Sequence, residues 1–344
     1  MSDLAFSKPS DSSSIEHGLV VGVDVGGTKI AAGLVNQSGI ILHQTRVPMI
    51  SDDGADSALA AVRAAIDSVV AQARLRPKPQ SSVRAIGICS PGPLNPYTGT
   101  VVNPPNLPCW RNFPLAREIS QIYGVKVRVD NDANAAALAE ALWGAGRGCG
   151  NVFCATIGTG IGTGIIIDGH IYHGRTGAAA EGGHVSIDYR GPRCRCGKMG
   201  CIEVFASGPA IAKRTRSKLA STPAQGPVLL ELCAGNLDLV NSEMVGKAYA
   251  AGDQLAKQIL EEIAELLSFW LGNIVDLLEP DIMIIGGGAG SLMQPFLRHI
   301  QDRLPGCCVN SRCQEIPLVM ARYGEDAGIV GGAALCVQSV GLAV

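Results

Sequence analysis

Three groups of residues in this chain have types and spacings suited to chemistry. Between Glu181 and Glu203, one histidine, His184, precedes Cys194, Cys196 and Cys201. Together they form a Cys3His set, and four ligands is the number a closed tetrahedral zinc site takes. The C-x-C spacing is tighter than the usual zinc-finger pair, and Gly197 and Gly200 would let the loop fold around a metal. The second group is Asp130, Asn131 and Asp132 in RVDNDANAA, where an apolar-basic strand runs into a helix. A carboxylate here suits phosphoryl transfer, which needs an acceptor for an alcohol proton. Asn131 or Asp132 is equally a helix N-cap, worth roughly 1 kcal/mol.

The third group is glycine turns. In DVGGTK (24–29), Gly26 and Gly27 are expected to take positive φ and leave room for a ligand. The N–H groups of such a turn form an anion-binding nest. Thr28 adds a hydroxyl, Lys29 a charge, and Asp24 a carboxylate for a hydrated Mg2+. Taken alone, this stretch also reads as a hairpin turn with no ligand. GTGIGTG (158–164) repeats the logic with Gly158, Thr159, Gly160 and Gly162. GGGAG (286–290) offers Gly287 and Gly288, opening toward a helix at about Ser291. Neither common nucleotide fingerprint, G-x-x-x-x-G-K-[ST] or G-x-G-x-x-G, is present. Three separate glycine turns after strands instead match the actin-like ATPase plan, in which a nucleotide lies in a cleft between two similar α/β domains.

The elements that must position these groups alternate strand and helix, which argues α/β. LVVGVDVGGTKIAAGLVNQSGIIL (19–42) and VFCATIGTGIGTGIIIDGHIY (152–172) share one pattern: a β-branched run, a Gly/Thr turn, a second run, a polar turn and a short third run. Each reads as a strand meander, and the repetition points to two halves of related architecture. Helical patterns follow in GADSALAAVRAAIDSVVAQARL and in NDANAAALAEALWGAG, the latter with Asn/Asp to start and Gly to stop. One long helix is expected from GKAYAAGDQLAKQ to the Leu-Glu before Pro280, leading into the buried strand DIMII. RPKPQSS (76–82) reads as a loop, and EDAGIVGGAALCVQSVGLAV as a small-residue helix able to pack closely. The expected domains are a disordered tail (1–18), an N-terminal α/β domain (19–129) completed by a C-terminal helix (325–344), and a larger α/β domain (130–324).

With 28 Lys and Arg against 30 Asp and Glu, and no basic run, nothing marks a nucleic-acid surface. The polar start lacks an apolar signal segment, and FWLGNIVDLLEPDIMII, the best apolar run, carries Asp276, Glu279, Pro280 and Asp281. A soluble, cytoplasmic protein without nucleic-acid or membrane partners is expected. In that compartment a cysteine cluster is expected to bind metal rather than form a disulfide knot.

In combination the motifs are similar to those of sugar kinases of the ROK family (repressors, open reading frames, kinases), from about Leu19 to the C-terminus. DVGGTK resembles the family's first phosphate loop, and ATIGTGIGTGIIIDGHIYHGRTGAAAEGGH its signature. CRCGKMGCIE resembles the zinc motif, and VDNDANAAALAE the catalytic segment. The resemblance implies an actin-like ATPase (ribonuclease H-like) fold and ATP, Mg2+ and a structural Zn2+ as cofactors. It assigns the general base to Asp132 and sugar hydroxyl contacts to Asn131, Glu181, His184 and Glu203. Zinc on one ring nitrogen of His184 would fix the direction of the other. SPGPLN (90–95) and VNPPNLPCW (102–110) resemble loops that close over the sugar, adding Gly92 and Asn106. The second loop is similar to that of the family's glucokinases. N-acetylmannosamine kinases often carry Arg near the position of Leu94, so glucose is expected, to be phosphorylated to its 6-phosphate. N-acetylmannosamine, fructose, allose and mannose are alternatives, as is a sugar-sensing repressor. The short polar segment before Leu19 and the intact DVGGTK speak against a repressor. A homodimer or tetramer is expected, acting in carbohydrate metabolism and glycolysis.

Overall fold

The computed structural model describes residues 18–49, 54–76 and 82–337. The elements follow as β1 (Leu19–Val25), β2 (Lys29–Val35), β3 (Ile41–Pro48), α1 (Ala55–Arg74), β4 (Val83–Ser90), β5 (Leu94–Asn95), β6 (Thr100–Val101), α2 (Leu115–Tyr123), β7 (Lys126–Asn131) and α3 (Asp132–Trp143). After these come β8 (Val152–Ile157), β9 (Ile161–Ile167), β10 (His170–Ile171), α4 (Glu203–Ala206), α5 (Gly208–Ser221), α6 (Pro227–Leu232), α7 (Ser242–Ala250), α8 (Gln254–Leu278), β11 (Ile282–Gly286), α9 (Leu297–Arg303), β12 (Leu318–Met320) and α10 (Ala327–Val337). The expected tail lies outside the described residues apart from Gly18, as do residues 77–81 of the expected loop and residues 338–344 of the expected last helix.

The chain divides into two compact units. One comprises Met1–Gly148, Gly164–Ala180 and Glu325–Val344; the other comprises Cys149–Thr163 and Glu181–Gly324. A boundary at residue 130 is therefore corrected: α3 belongs with the first unit, because its alanine-rich, almost wholly buried surface packs on α10. The expected repeat is present. One sheet runs β3-β2-β1-β4-β7 and the other β10-β9-β8-β11-β12, the same order of strands along the chain. In the first sheet β1, β4 and β7 are parallel, and β2 runs antiparallel to both of its neighbours, β1 and β3.

Side-chain alternation along β1 decides what faces what. Leu19, Val21, Val23 and Val25 enter the large core beneath α1, with Ile86 and Ile88 of β4 and Val129 of β7. Val20 faces the other way, with Ala85 of β4 and with Ile329, Ala333 and Cys336 of α10. Asp24 shares that second face, in a register row Asp24, Cys89, Asp130 across β1, β4 and β7. The C-terminal ends of three parallel strands thus carry the chemistry on the face that α10 covers.

The expected long helix is two, α7 and α8. Asp253 starts the second: its Oδ1 accepts the Ala256 N–H at 3.0 Å as N-cap of α8, and its Oδ2 accepts Val228 and Leu229 N–H at 3.0 and 3.2 Å. The GGGAG turn leads into a 3-10 segment, Gly290–Phe296, before α9, rather than directly into an α-helix.

The small-residue character of α10 has a steric cause. A Cβ on Gly87 would lie 1.7 Å from the Gly332 carbonyl oxygen, and one on Gly332 would lie 2.5 Å from the Gly87 oxygen. Helix and sheet meet backbone to backbone there. Gly87→Ala should therefore lower stability by at least about 2 kcal/mol, since overpacked interiors cannot relax cheaply. An unchanged urea midpoint for that variant would contradict the contact.

Candidate active site

In the first unit the residues gather at the strand ends. Asp24 is partly buried, and burial raises its carboxyl above the ordinary range against the opposing pull of Lys29 and Arg46. The β1–β2 turn closes with Gly26 N–H donating to Lys29 O at 2.9 Å. Contrary to expectation, neither Gly26 nor Gly27 adopts positive φ. What Gly27 supplies is space: a Cβ there would lie 2.6 Å from the Asn106 carbonyl oxygen. The VNPPNLPCW loop therefore rests on the phosphate-loop candidate. It is held down by Leu107 and by Trp110, which stacks on Phe113 at 5.2 Å between ring centroids. Asn106, Thr28 and Lys29 stand exposed.

The β7–α3 junction separates two readings that the sequence left open. Asn131 is the N-cap, its Oδ1 accepting Ala133 N–H at 2.9 Å and Asn134 N–H at 3.4 Å. Asp132 is the first helical residue and is exposed, with its Oδ1 2.8 Å from Ala133 N. Gly92 lies beside Asn131: a Cβ on it would meet the Asn131 amide nitrogen at an ordinary 3.6 Å. Asp130 is 5% exposed, so its partners decide whether it is tolerated. Its Oδ1 accepts Asn131 N–H at 2.7 Å and Asn134 Nδ2–H at 3.1 Å, and its Oδ2 lies 2.6 Å from His173 Nε2. His173 escaped the sequence reading; a lone histidine between a strand and a glycine carries no signal of its own.

The second unit carries the remaining candidate residues. The β8–β9 turn closes with Gly158 N–H on Gly160 O at 2.8 Å, and Gly208 N–H donates to Gly158 O at 2.8 Å. A cavity of about 920 Å3 opens here, lined by Gly158 and Thr159 of that turn and by Gly288 and Ser291 after β11. Two of the three glycine turns thus share one cavity. Gly160, Gly162 and Gly287 do not line it. The remaining walls come from α5, α7 and the 3-10 segment, including Ala212, Asn241, Lys247 and Leu292, which no motif announces. A mostly apolar lining with a few polar groups suits a flat organic base carrying a polar tail.

The cysteine cluster closes as expected. One ligand atom each from His184, Cys194, Cys196 and Cys201 lie within 4.8 Å of one another. The Cys196 and Cys201 sulfurs are 3.6 Å apart, and Cys194 Sγ is 3.6 Å from His184 Nδ1. Tetrahedral Zn–S bonds of about 2.3 Å place two sulfurs about 3.8 Å apart, so the donor set fits that ion. Burial pushes the Cys201 thiol up to about 12, aided by hydrogen bonds with Cys196 and Cys194, while the Lys198 backbone N–H pulls Cys196 down. A bound cation would offset that burial penalty on thiolate. The hairpin is local: Cys194 N–H donates to Lys198 O at 2.8 Å, and Lys198 Nζ donates to His184 O at 2.6 Å.

Glu203 ties this cluster to the glycine turn. Its Oε2 accepts Ile161 N–H at 2.9 Å, and its Oε1 lies 3.8 Å from Cys194 Sγ and 4.0 Å from His184 Nδ1. Nδ1 of His184 therefore faces the cysteines, leaving Nε2 on the opposite ring edge. Glu181 is exposed, and its carbonyl accepts His184 N–H at 3.0 Å to start the 3-10 turn Gly182–His184. Trp270 of α8 fixes that turn by donating to Gly182 O at 3.1 Å.

The ROK family model matches residues 20–339. The chain belongs to the ROK family. Among this ROK chain's relatives is a glucokinase of Streptomyces coelicolor, 36% identical over 319 residues, 92% of this chain and 97% of that protein. A glucokinase of Thermotoga maritima is 31% identical, over 94% of this chain and 98% of that protein. A crystal structure of a ROK family glucokinase from Streptomyces griseus, in complex with glucose and AMPPNP, is 35% identical. It superposes with a TM-score of 0.78, over 92% of this chain and 99% of that one. The twice-repeated strand order of this ROK chain is that of the actin-like ATPase fold.

The cap geometry sets a stability test. Asn131→Ala should cost about 1 kcal/mol, the ordinary worth of an N-cap, whereas Asn131→Asp should cost much less. Equal urea midpoints for Asn131→Ala and the wild type would show that the cap contributes nothing.

Proposed function

We propose that this ROK chain is an ATP-dependent hexose kinase that phosphorylates glucose on its 6-hydroxyl. The observation that carries the reading is the β7–α3 junction. Asn131 fills the cap, and Asp132 stands exposed beside it on a helix N-terminus. A carboxylate in that place accepts the proton of a sugar hydroxyl as the hydroxyl attacks phosphorus. The glucokinase relatives, and the glucose and AMPPNP in the Streptomyces griseus structure, support the choice of sugar and donor.

The remaining roles follow from residue chemistry. Asn131 Nδ2, Glu181, Glu203, Asn106 and the open backbone at Gly92 orient the sugar hydroxyls. Carboxylates suit this task, since vicinal hydroxyls offer donors and no charge. His184 would hold a structural zinc through Nδ1, the nitrogen that faces the cysteines, which would leave Nε2–H to donate to the sugar. Glu203 keeps lone pairs for a hydroxyl after accepting Ile161 N–H. The cavity beside Gly158, Thr159 and Gly288 takes the nucleotide, and the Gly26–Lys29 turn its terminal phosphates. Asp24 would hold the hydrated Mg2+ that accompanies ATP, whose chemistry is to neutralise charge on the transferring phosphoryl group.

Two outcomes are expected. Asp132→Asn should reduce kcat by about 10^2- to 10^4-fold and leave glucose affinity largely intact, as read by steady-state kinetics and calorimetric titration. Near-normal turnover would remove Asp132 from the base role. Elemental analysis should find about one zinc per chain, and Cys201→Ser should lose both that metal and glucose affinity while keeping nucleotide affinity. A protein that retains folding and sugar binding after complete chelation would contradict the role of the metal.

A further inference from the structure

Beside the cavity at Gly158, a second cavity concentrates unbalanced charge. It measures about 640 Å3 and lies in the second unit, between the zinc-motif hairpin, α4 and α5. Lys213, Arg214 and Lys218 of α5 line it, the last two one turn apart, and the hairpin adds Arg193 and Arg195. Arg214 Nη1 donates to Glu262 Oε2 at 2.8 Å, and Lys218 pairs with the same carboxylate. The side chains of Arg193, Arg195 and Lys213 make no ion pair and no hydrogen bond among the described residues. Among the described residues, the only carboxylate lining the cavity is Glu203, which is engaged by Ile161 N–H.

The charge count is uneven even when taken conservatively. Five cations against Glu203 and Glu262 leave three positive charges. Three thiolates on a divalent ion would carry one negative charge, which still leaves an excess of two. Like charges converging on a concave, partly enclosed space repel one another unless an anion joins them. Guanidinium forks match phosphate oxygens in geometry, and the hydroxyls of Thr159, Ser207 and Ser217 on the same wall add neutral donors. Thr159 also lines the larger cavity, so the two spaces share a wall at the glycine turn.

We propose that this cavity binds a multiply charged phosphate anion, either a condensed inorganic phosphate or a sugar phosphate, at a site separate from the nucleotide cavity. The site is built by chain-local charge and stands whether or not the kinase reading is correct. The test is calorimetric titration of the zinc-loaded, full-length protein, with a saturating non-hydrolysable ATP analogue present to fill the larger cavity. Inorganic tripolyphosphate and glucose 6-phosphate serve as separate probes. At least one should bind once per chain, with affinity falling as salt is raised. Binding by tripolyphosphate alone assigns a condensed phosphate; binding by glucose 6-phosphate alone assigns an ester. Lys213→Glu, an exposed change on α5, should weaken that binding about tenfold or more, the worth of a hydrogen bond to a charged group, while nucleotide affinity stays unchanged. Absence of binding by both probes, or equal affinity in Lys213→Glu and the wild type, overturns the proposal. Glucose phosphorylation measured in parallel keeps that outcome distinct from a failure of the kinase assignment.

Discussion

The first unit's chemistry depends on one buried carboxylate. Asp130 sits at the end of β7 with little access to water, where an uncompensated charge would cost several kcal/mol. Asn131 N–H, Asn134 Nδ2–H and His173 Nε2 compensate it. Each of those contacts also fixes something else. The first two lock the strand-to-helix turn that presents Asp132. The third brings in the chain after β10, where Tyr97 also donates to Gly174 O at 3.1 Å. A side chain on a helix N-terminus is only as well placed as the turn beneath it, and here that turn is braced by charge-assisted bonds rather than by apolar packing alone.

Packing then determines what that brace can sit against. Because Gly87 and Gly332 meet backbone to backbone, α10 lies close enough to the sheet for Gly328 O to accept from Cys89 Sγ at 3.1 Å. The thiol of Cys89 is held well above its usual range, first by burial and then by Asp24, Asp132 and Asp130. A small neutral residue is what this row tolerates between two acids. A further carboxylate in its place would add like-charge repulsion to desolvation.

The local parts of this design were legible in the sequence, because local rules govern them. Continuous apolar runs broken by glycine gave β1, β2, β8 and β9, and Asn before Asp-Ala gave the start of α3. The metal set was legible because three of its four ligands fall within one short hairpin. What escaped was held together by distant partners. Glu203 meets Ile161 N–H across 42 positions, and Asp130 meets His173 across 43. No periodicity encodes such a pairing. The break between α7 and α8 was hidden inside an otherwise helical pattern, since Asp253 matters through Val228 and Leu229 as much as through its own helix. The positive φ expected at Gly26 and Gly27 failed for a related reason: the glycine serves the Asn106 carbonyl of a remote loop, not the turn itself.

The repeated strand order shows how one plan supports two kinds of site. In parallel sheets the ends of the strands, freed from side-chain packing, are where ligands approach. In the first unit those ends carry Asp24, Cys89 and Asp130, covered by a helix of small residues. In the second, Gly286 at the end of β11 lies in register with Thr156, one residue before the end of β8, and the turns that follow contribute backbone around a cavity instead of acids. Acids need a scaffold that compensates their burial, and the first unit supplies it through α3, α10 and His173. Phosphate needs N–H groups and room, which glycine turns provide without any charge to compensate. The same strand order thus presents acids at one set of strand ends and glycine backbone at the other, two opposite electrostatic surroundings.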